Sequence, residues 1–253
     1  MYPELLHIGN FIIYTYAFCI VVATLIASIY TKRRVKKELN SFELSNNFFY
    51  LFFLGGFVGG KLFFYLETPN LYLQNPILLV EHFSTGGFVF YGSLLGTLPV
   101  LFWYLKTHKI PVLPMLDILT ISTLIAHIIG RIGCFFAGCC YGKPTNSFLG
   151  IVFPTTNNVA VHPSQLYEIT ALLLITILLL YLKKRQQFKG QQFTQYLFFY
   201  AISRSFLELF RGDKRGFIID EYLSHSQFIA LLLSISALIF YYKLKRKSII
   251  NLN

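Results

Sequence analysis

The sequence predicts an all-α, polytopic membrane protein with about seven transmembrane helices, its N-terminus exoplasmic and its C-terminus cytoplasmic, and three observations carry that prediction. Hydrophobic residues make up 55% of the 253 and charged residues only 13%, with a mean hydropathy of +0.57, far from the balance of a soluble domain. Several runs approach the roughly 20 apolar residues needed to cross hydrocarbon, where backbone satisfaction makes helices the default, and none alternates as barrel strands do. Most of the 22 basic residues fall in clusters between or after those runs: Lys32, Arg33, Arg34, Lys36 and Lys37; Lys106 and Lys109; Lys183, Lys184, Arg185 and Lys189; Lys243, Lys245, Arg246 and Lys247. A net charge of +11 would hint at nucleic acid in a soluble protein. Placed this way it is a topology signal that puts every cluster in the cytoplasm, and no nucleic-acid partner is expected.

The first apolar run, about 11–30, is followed rather than preceded by its basic cluster. A cleaved signal peptide shows the opposite order, so this span is expected to stay, with Tyr14 and Tyr16 near its outer end. Cys19 within it reads as a small core residue. The second span, about 46–66, holds Gly55-Gly56-Phe-Val-Gly59-Gly60, overlapping small-xxx-small patterns that suit close helix packing. Lys61 near its outer end is expected to snorkel to the interface. Residues 67–85, with Pro69, Pro76, Glu81 and His82, read as an exoplasmic segment lying on the membrane.

The third span, about 88–105, opens on Gly86-Gly-Phe-Val-Phe-Tyr-Gly-Ser-Leu-Leu-Gly96, a bare start that either packs against a helix or frees backbone N–H groups for an anion. Tyr91 sits in this glycine cradle. The fourth span, about 112–130, carries Asp117 near its cytoplasmic end, read as a cap or a partner for a basic residue, and His127, read as a hydrogen-bonded core histidine. It delivers Arg131 and Cys134, Cys139 and Cys140 to the point where the apolar run gives out. A guanidinium there must meet an anion or reach water, and Gly130, Gly133 and Gly138 leave room for a close approach.

An outer segment, about 134–162, ends in His162-Pro-Ser-Gln-Leu-Tyr-Glu168, where Ser164, Gln165 and Glu168 start the fifth span, about 164–182, facing protein or water. The sixth, about 193–211, carries Tyr200, Arg204, Glu208 and Arg211 at i, i+4, i+8 and i+11, a single polar stripe on a helix. Glu208 can neutralise either arginine, which leaves one positive charge uncompensated within the span. Residues about 212–223 form the last outer loop, and the seventh span, about 224–242, returns to the cytoplasm.

On this topology Arg131, Arg204, Arg211 and Tyr91 lie in the outer leaflet or at its edge, where the natural anion is a phospholipid headgroup. Two guanidiniums can grip phosphate oxygens bidentately and stabilise charge gathering on a departing phosphate, which favours displacement at a carbon bearing a phosphoester. No cofactor is implied, and no metal either, because the three outer cysteines lack paired CxxC spacing and a suitably placed histidine.

Ile-Tyr-Thr-Tyr-Ala at 13–17, Gly-Gly-Phe-Val-Phe-Tyr-Gly at 86–92, Gly-Arg-Ile-Gly at 130–133, His-Pro-Ser-Gln-Leu-Tyr-Glu at 162–168 and the Tyr200 to Arg211 stripe together resemble the prolipoprotein diacylglyceryl transferase family. The resemblance covers nearly the whole chain in order. It implies a seven-span enzyme of the bacterial inner membrane that moves the diacylglyceryl group of phosphatidylglycerol onto the lipobox cysteine of a prolipoprotein signal peptide and releases glycerol 1-phosphate. By the same resemblance Arg131 binds phosphatidylglycerol and Arg204 is a second essential arginine, while Arg211, Glu208, Tyr200 and Tyr16 line the site.

This sequence departs from the family where a base is expected. Tyr91 stands at the usual histidine position, and Cys134, Ala137 and Cys139 stand where Asn, Asn and Glu are usual. Three sources of thiol activation stay open: the arginines alone, Tyr91 as a perturbed phenol, or His162. Facing an oxidising compartment, the three cysteines are expected to form one structural disulfide with a thiol left over. The departures also leave room for a paralogue with another acceptor or no activity. A non-catalytic lipid-binding or transport protein has against it the lack of any internal repeat.

Overall fold

In the computed structural model, residues 2–9, 11–40, 42–85, 87–212, 217–219 and 223–250 are described. The glycine cradle's Gly86 and most of the expected loop at 212–223 lie outside them. The elements, in chain order, are β1 (Glu4–Ile8), β2 (Phe11–Tyr14), α1 (Thr15–Glu38), α2 (Asn46–Glu67), α3 (Pro69–Gln74), α4 (Ile77–Thr85), α5 (Phe90–Thr107), α6 (Val112–Ala137), β3 (Ile151–Val152), β4 (Ala160–Val161), α7 (Ser164–Lys183), α8 (Gln191–Leu207), β5 (Phe217–Ile219), β6 (Leu223–Ser224) and α9 (His225–Ile250). Five of the helices, α1, α2, α6, α7 and α9, are long and apolar enough to cross a membrane. Their large apolar side chains are exposed in number, as Leu231, Leu232, Ile235, Leu238, Ile239 and Phe240 are along α9. A face of that kind on helices of this length suits a lipid solvent.

The other two expected spans are helices as well, but shorter. The 17 residues of α8 rise about 26 Å, a little less than the hydrocarbon thickness of about 30 Å. Helix α5 has 18 residues with Pro99 inside. The N-terminal run differs from expectation at its start: residues 11–14 pair as an antiparallel hairpin with β1, and the helix begins only at Thr15. Two further two-stranded sheets, β3 with β4 and β5 with β6, sit in the loops. All three were invisible to a helix-only reading because strands of two to five residues carry no usable period.

Two compact units divide the chain, one of Met1–Arg34 with Leu113–Asn253 and one of Val35–Val112. In the smaller, α2 and α5 pack glycine to glycine. A methyl on Gly59 would strike the Gly92 carbonyl oxygen and come within 2.8 Å of Gly96 Cα, and one on Gly92 would strike Phe63 Cβ. The glycines of the cradle at 92 and 96 are thus consumed by helix packing rather than offered to an anion. Lys61 does not snorkel. It is 8% exposed, donates to the His82 carbonyl at 3.1 Å and sits 5.6 Å and 5.8 Å from the ring centroids of Phe64 and Phe83. A carbonyl and two aromatic faces satisfy the ammonium inside the protein at less entropic cost than extending it to water.

In the larger unit Ile121, Leu124, Leu172, Ile175 and Leu179 form the buried core between α6 and α7, and Thr31 meets Ser122 at 2.6 Å across α1 and α6. Asp117 is a cap, but for another helix: its carboxylate accepts from the backbone N–H groups of Gly190 at 2.7 Å and Phe193 at 2.9 Å and from Gln186 at 2.7 Å, at the start of α8. A carboxylate there answers both the orphan donors and the helix dipole. Asp117→Ala is expected to destabilise the protein by about 2–3 kcal/mol, the cost of stranding charge-assisted hydrogen bonds, read as a lowered thermal midpoint in detergent.

Candidate active site

Helix α6 runs to Ala137, past the end expected near residue 130, so Arg131 and Cys134 stand on its last turns rather than in a loop. Its end is a Schellman motif: Gly138, at φ 69°, donates to the Phe135 carbonyl at 3.2 Å, and Cys139 donates to the Cys134 carbonyl at 3.2 Å. Gly138 is needed for that left-handed turn. Gly133 serves packing instead, since a methyl on it would lie 2.8 Å from Cys19 Cβ and 3.3 Å from the Tyr16 ring, which puts the start of α1 against the end of α6.

Arg131 is held by Glu168 of α7, Nε to Oε2 at 2.9 Å, and the other carboxylate oxygen lies 3.1 Å from His127 Nε2. The Glu168 side chain is only 5% exposed and that of Arg131 19%. Tyr200 stacks on Tyr196 at 5.8 Å and lies 5.7 Å from the His127 ring. Arg204 pairs with Glu208, Nη2 to Oε2 at 2.7 Å, and Ser226 of α9 closes a triangle by donating to Glu208 at 2.9 Å. Arg204 is within electrostatic reach of Glu168, as Tyr16 and Tyr200 are of Arg131. Tyr16, His127, Arg131, Glu168, Tyr200, Arg204, Glu208 and Ser226 thus gather toward one end of α1, α6, α7, α8 and α9, and Lys32 to Lys37, Lys183 and Lys243 to Lys247 lie toward the far ends of α1, α7 and α9.

One expectation is corrected here. The stripe breaks after Glu208, because α8 ends at Leu207, one turn of 3₁₀ helix follows, and Arg211 is extended at φ −75°, ψ 142°. Buried there, Arg211 bridges to Gly142, whose N–H donates to the His162 carbonyl at 2.8 Å. Within the stripe Glu208 takes Arg204, and Arg131 has a carboxylate of its own in Glu168, which the sequence placed only at a helix start facing protein or water. Its place four residues after Ser164 on a span otherwise apolar was the available signal.

Glu168 takes Arg131 through Nε. The pairing of Arg204 with Glu208 does not use up its guanidinium. Arg204 keeps Nη1 buried and unpartnered among the described residues. Buried donors of that kind are rare in finished structures and suit an anion that arrives later. His162 is committed elsewhere: Nδ1 meets the Tyr167 hydroxyl at 3.1 Å, and its ring packs 5.3 Å from Phe210. Tyr91, on the first turn of α5, belongs to the smaller unit and is 51% exposed.

Cys134, Cys139 and Cys140 are free thiols, so the expected disulfide is not formed. Their sulfur atoms lie within 4.8 Å of one another. The hydrogen bonds of the Cys134 and Cys139 thiols, backed by the guanidiniums of Arg131 and Arg211, hold the Cys140 thiol well below its ordinary range.

Comparison with known proteins agrees in length and order with the motifs. The model of the prolipoprotein diacylglyceryl transferase family matches residues 3–243. A phosphatidylglycerol–prolipoprotein diacylglyceryl transferase of Clostridium tetani is 34% identical over 235 residues, 91% of this chain and 93% of that protein. A second, of Clostridium perfringens, is 32% identical over 90% of each chain, and one of Rickettsia canadensis is 33% identical over 86% of this chain and 87% of its own. The chain belongs to the prolipoprotein diacylglyceryl transferase family.

Proposed function

We propose that the chain transfers the diacylglyceryl group of phosphatidylglycerol to the lipobox cysteine thiol of a prolipoprotein signal peptide, the first step of bacterial lipoprotein maturation. The observation that supports this most is the pair of arginines, each aimed by its own carboxylate, with Nη1 of Arg204 buried and left over among the described residues. Arg131 and Arg204 grip the phosphate of the lipid headgroup. The acceptor thiol gives up its proton to water, its sulfur forms a bond to the glyceryl carbon as the carbon–oxygen bond to phosphate breaks, and the electron pair leaves on glycerol 1-phosphate, where the same guanidiniums stabilise it. Tyr16, Tyr200 and Arg211 line the site, and Glu208 holds Arg204.

The orientation that goes with this reading has seven crossings in the bacterial inner membrane, the N-terminus and the arginine end outside, and the C-terminus with the basic clusters inside. Residues 67–85, 134–162 and 212–223 are then its exoplasmic segments. The test supplies purified protein with labelled phosphatidylglycerol and a lipobox peptide and looks for thioether product and free glycerol phosphate. A preparation that binds the lipid but forms neither product would favour the paralogue reading, to which Cys134, Ala137 and Cys139 point. Tyr91→Phe separates the sources of thiol activation. We expect it to retain most of the transfer rate, whereas loss of a general base costs about a hundredfold or more.

A further inference from the structure

We propose that Cys134, Cys139 and Cys140 form a three-thiolate site for a thiophilic d¹⁰ divalent cation of the zinc class, with the fourth coordination position open to the thiolate of the acceptor. The role of that fourth position rests on the proposed function; the metal site itself does not.

Geometry carries the inference. The three sulfur atoms already lie within 4.8 Å of one another, and three sulfurs on one zinc at about 2.3 Å stand roughly 3.8 Å apart in tetrahedral geometry. The backbone is built to gather them. The Schellman turn folds Cys139 back over Cys134, and Cys140 holds a left-handed φ of 63°, unusual for a residue with a Cβ. The start of α7 fixes both carbonyls: Ser164 donates to Cys140 at 2.7 Å and Gln165 to Cys139 at 2.6 Å. Cys134 is buried while Cys139 and Cys140 are exposed, so a bound cation would be supported from below and open on one side. A disulfide would engage two sulfurs and leave the third; a cation uses all three. Three thiolates on a divalent cation leave one negative charge, and Arg131 and Arg211 are within electrostatic reach of it.

Such a site supplies what the sequence lacks at its departures from the family. A thiol of pKa about 8.5 is only about 3% ionised at neutral pH. Coordination at the fourth position releases its proton to water and leaves a thiolate beside Arg131, with no change in the oxidation state of the metal. That thiolate then makes the carbon–sulfur bond, and the phosphate leaves with the electron pair of the broken carbon–oxygen bond.

The test uses the full-length protein, reduced, in detergent. Titration with Cd²⁺ should produce a thiolate-to-metal charge-transfer band that saturates at one equivalent, and zinc-loaded protein should show three sulfur scatterers at about 2.3 Å by X-ray absorption. Cys134→Ser and Cys140→Ser should each lose the band, while Cys19→Ser keeps it. Absence of the band in unmodified reduced protein, or isolation from the membrane with two of the three sulfurs already joined and no metal bound, overturns the site. Chelation should then slow transfer by up to about thirtyfold, the reciprocal of the ionised fraction. Metal bound but irrelevant to the transfer rate overturns the role of the fourth position, and a chain that binds cadmium yet transfers nothing overturns the proposed function alone.

Discussion

Arg131→Ala is expected to lower diacylglyceryl transfer by about 10²–10³-fold, the range seen when a preorganised donor to a developing anion is removed. The same substitution strips Glu168 of its nearest cation in a place where the carboxylate is 5% exposed. Breaking a buried pair from one side costs about 3–5 kcal/mol, so loss of activity alone would not distinguish a lost phosphate grip from a damaged fold. Arg131→Ala combined with Glu168→Gln removes the stranded charge. We expect the double variant to recover most of the thermal midpoint and none of the rate. Arg131→Lys should fail as well, because an ammonium cannot face Glu168 with one N–H and a phosphate with a planar pair of others. A double variant that transferred at the unaltered rate would remove Arg131 from the chemistry.

The membrane class and the places of the long apolar helices were legible because composition is a property of whole segments, which local packing does not alter. That α2 would pack closely on another helix was legible at Gly55, Gly56, Gly59 and Gly60 for a similar reason: four small residues at helical spacing leave few other uses. What the sequence hid are contacts made across long separations. Asp117 looked like a cap and proved to be one, for a helix 73 residues further on at Gly190. Glu168 and Arg131 are on different helices, so no spacing rule connects them. Arg211 was placed on a helical stripe by an unbroken i, i+3, i+4 count; that count cannot register a helix that stops at Leu207. Lys61 went astray because snorkelling is the default for a lysine near the end of a span, and the alternative needed His82, Phe64 and Phe83 to be brought together.

Glu168→Gln should separate positioning from charge. The carboxylate does two opposed things to Arg131: it fixes the guanidinium through Nε at 2.9 Å, and it offers a negative charge that an incoming phosphate must tolerate. An amide of the same shape keeps one acceptor for Nε but loses the charge and presents an NH₂ group to His127, whose Nε2 now lies 3.1 Å from an oxygen. Weaker repulsion of the headgroup should leave KM for phosphatidylglycerol unchanged or lower. Looser aim of the two Nη groups should cut kcat by about 10²-fold, the cost of a displacement near 1 Å in a reacting constellation. A fall in kcat together with KM is the signature of losing an interaction that organises the transition state while easing the ground state. If kcat instead stayed at its original value while KM rose, Glu168 would be acting through the shape of the lipid site and Arg131 would hold its place without help. Measuring both constants at several lipid fractions in mixed micelles, alongside the thermal midpoint of the variant, decides between the two.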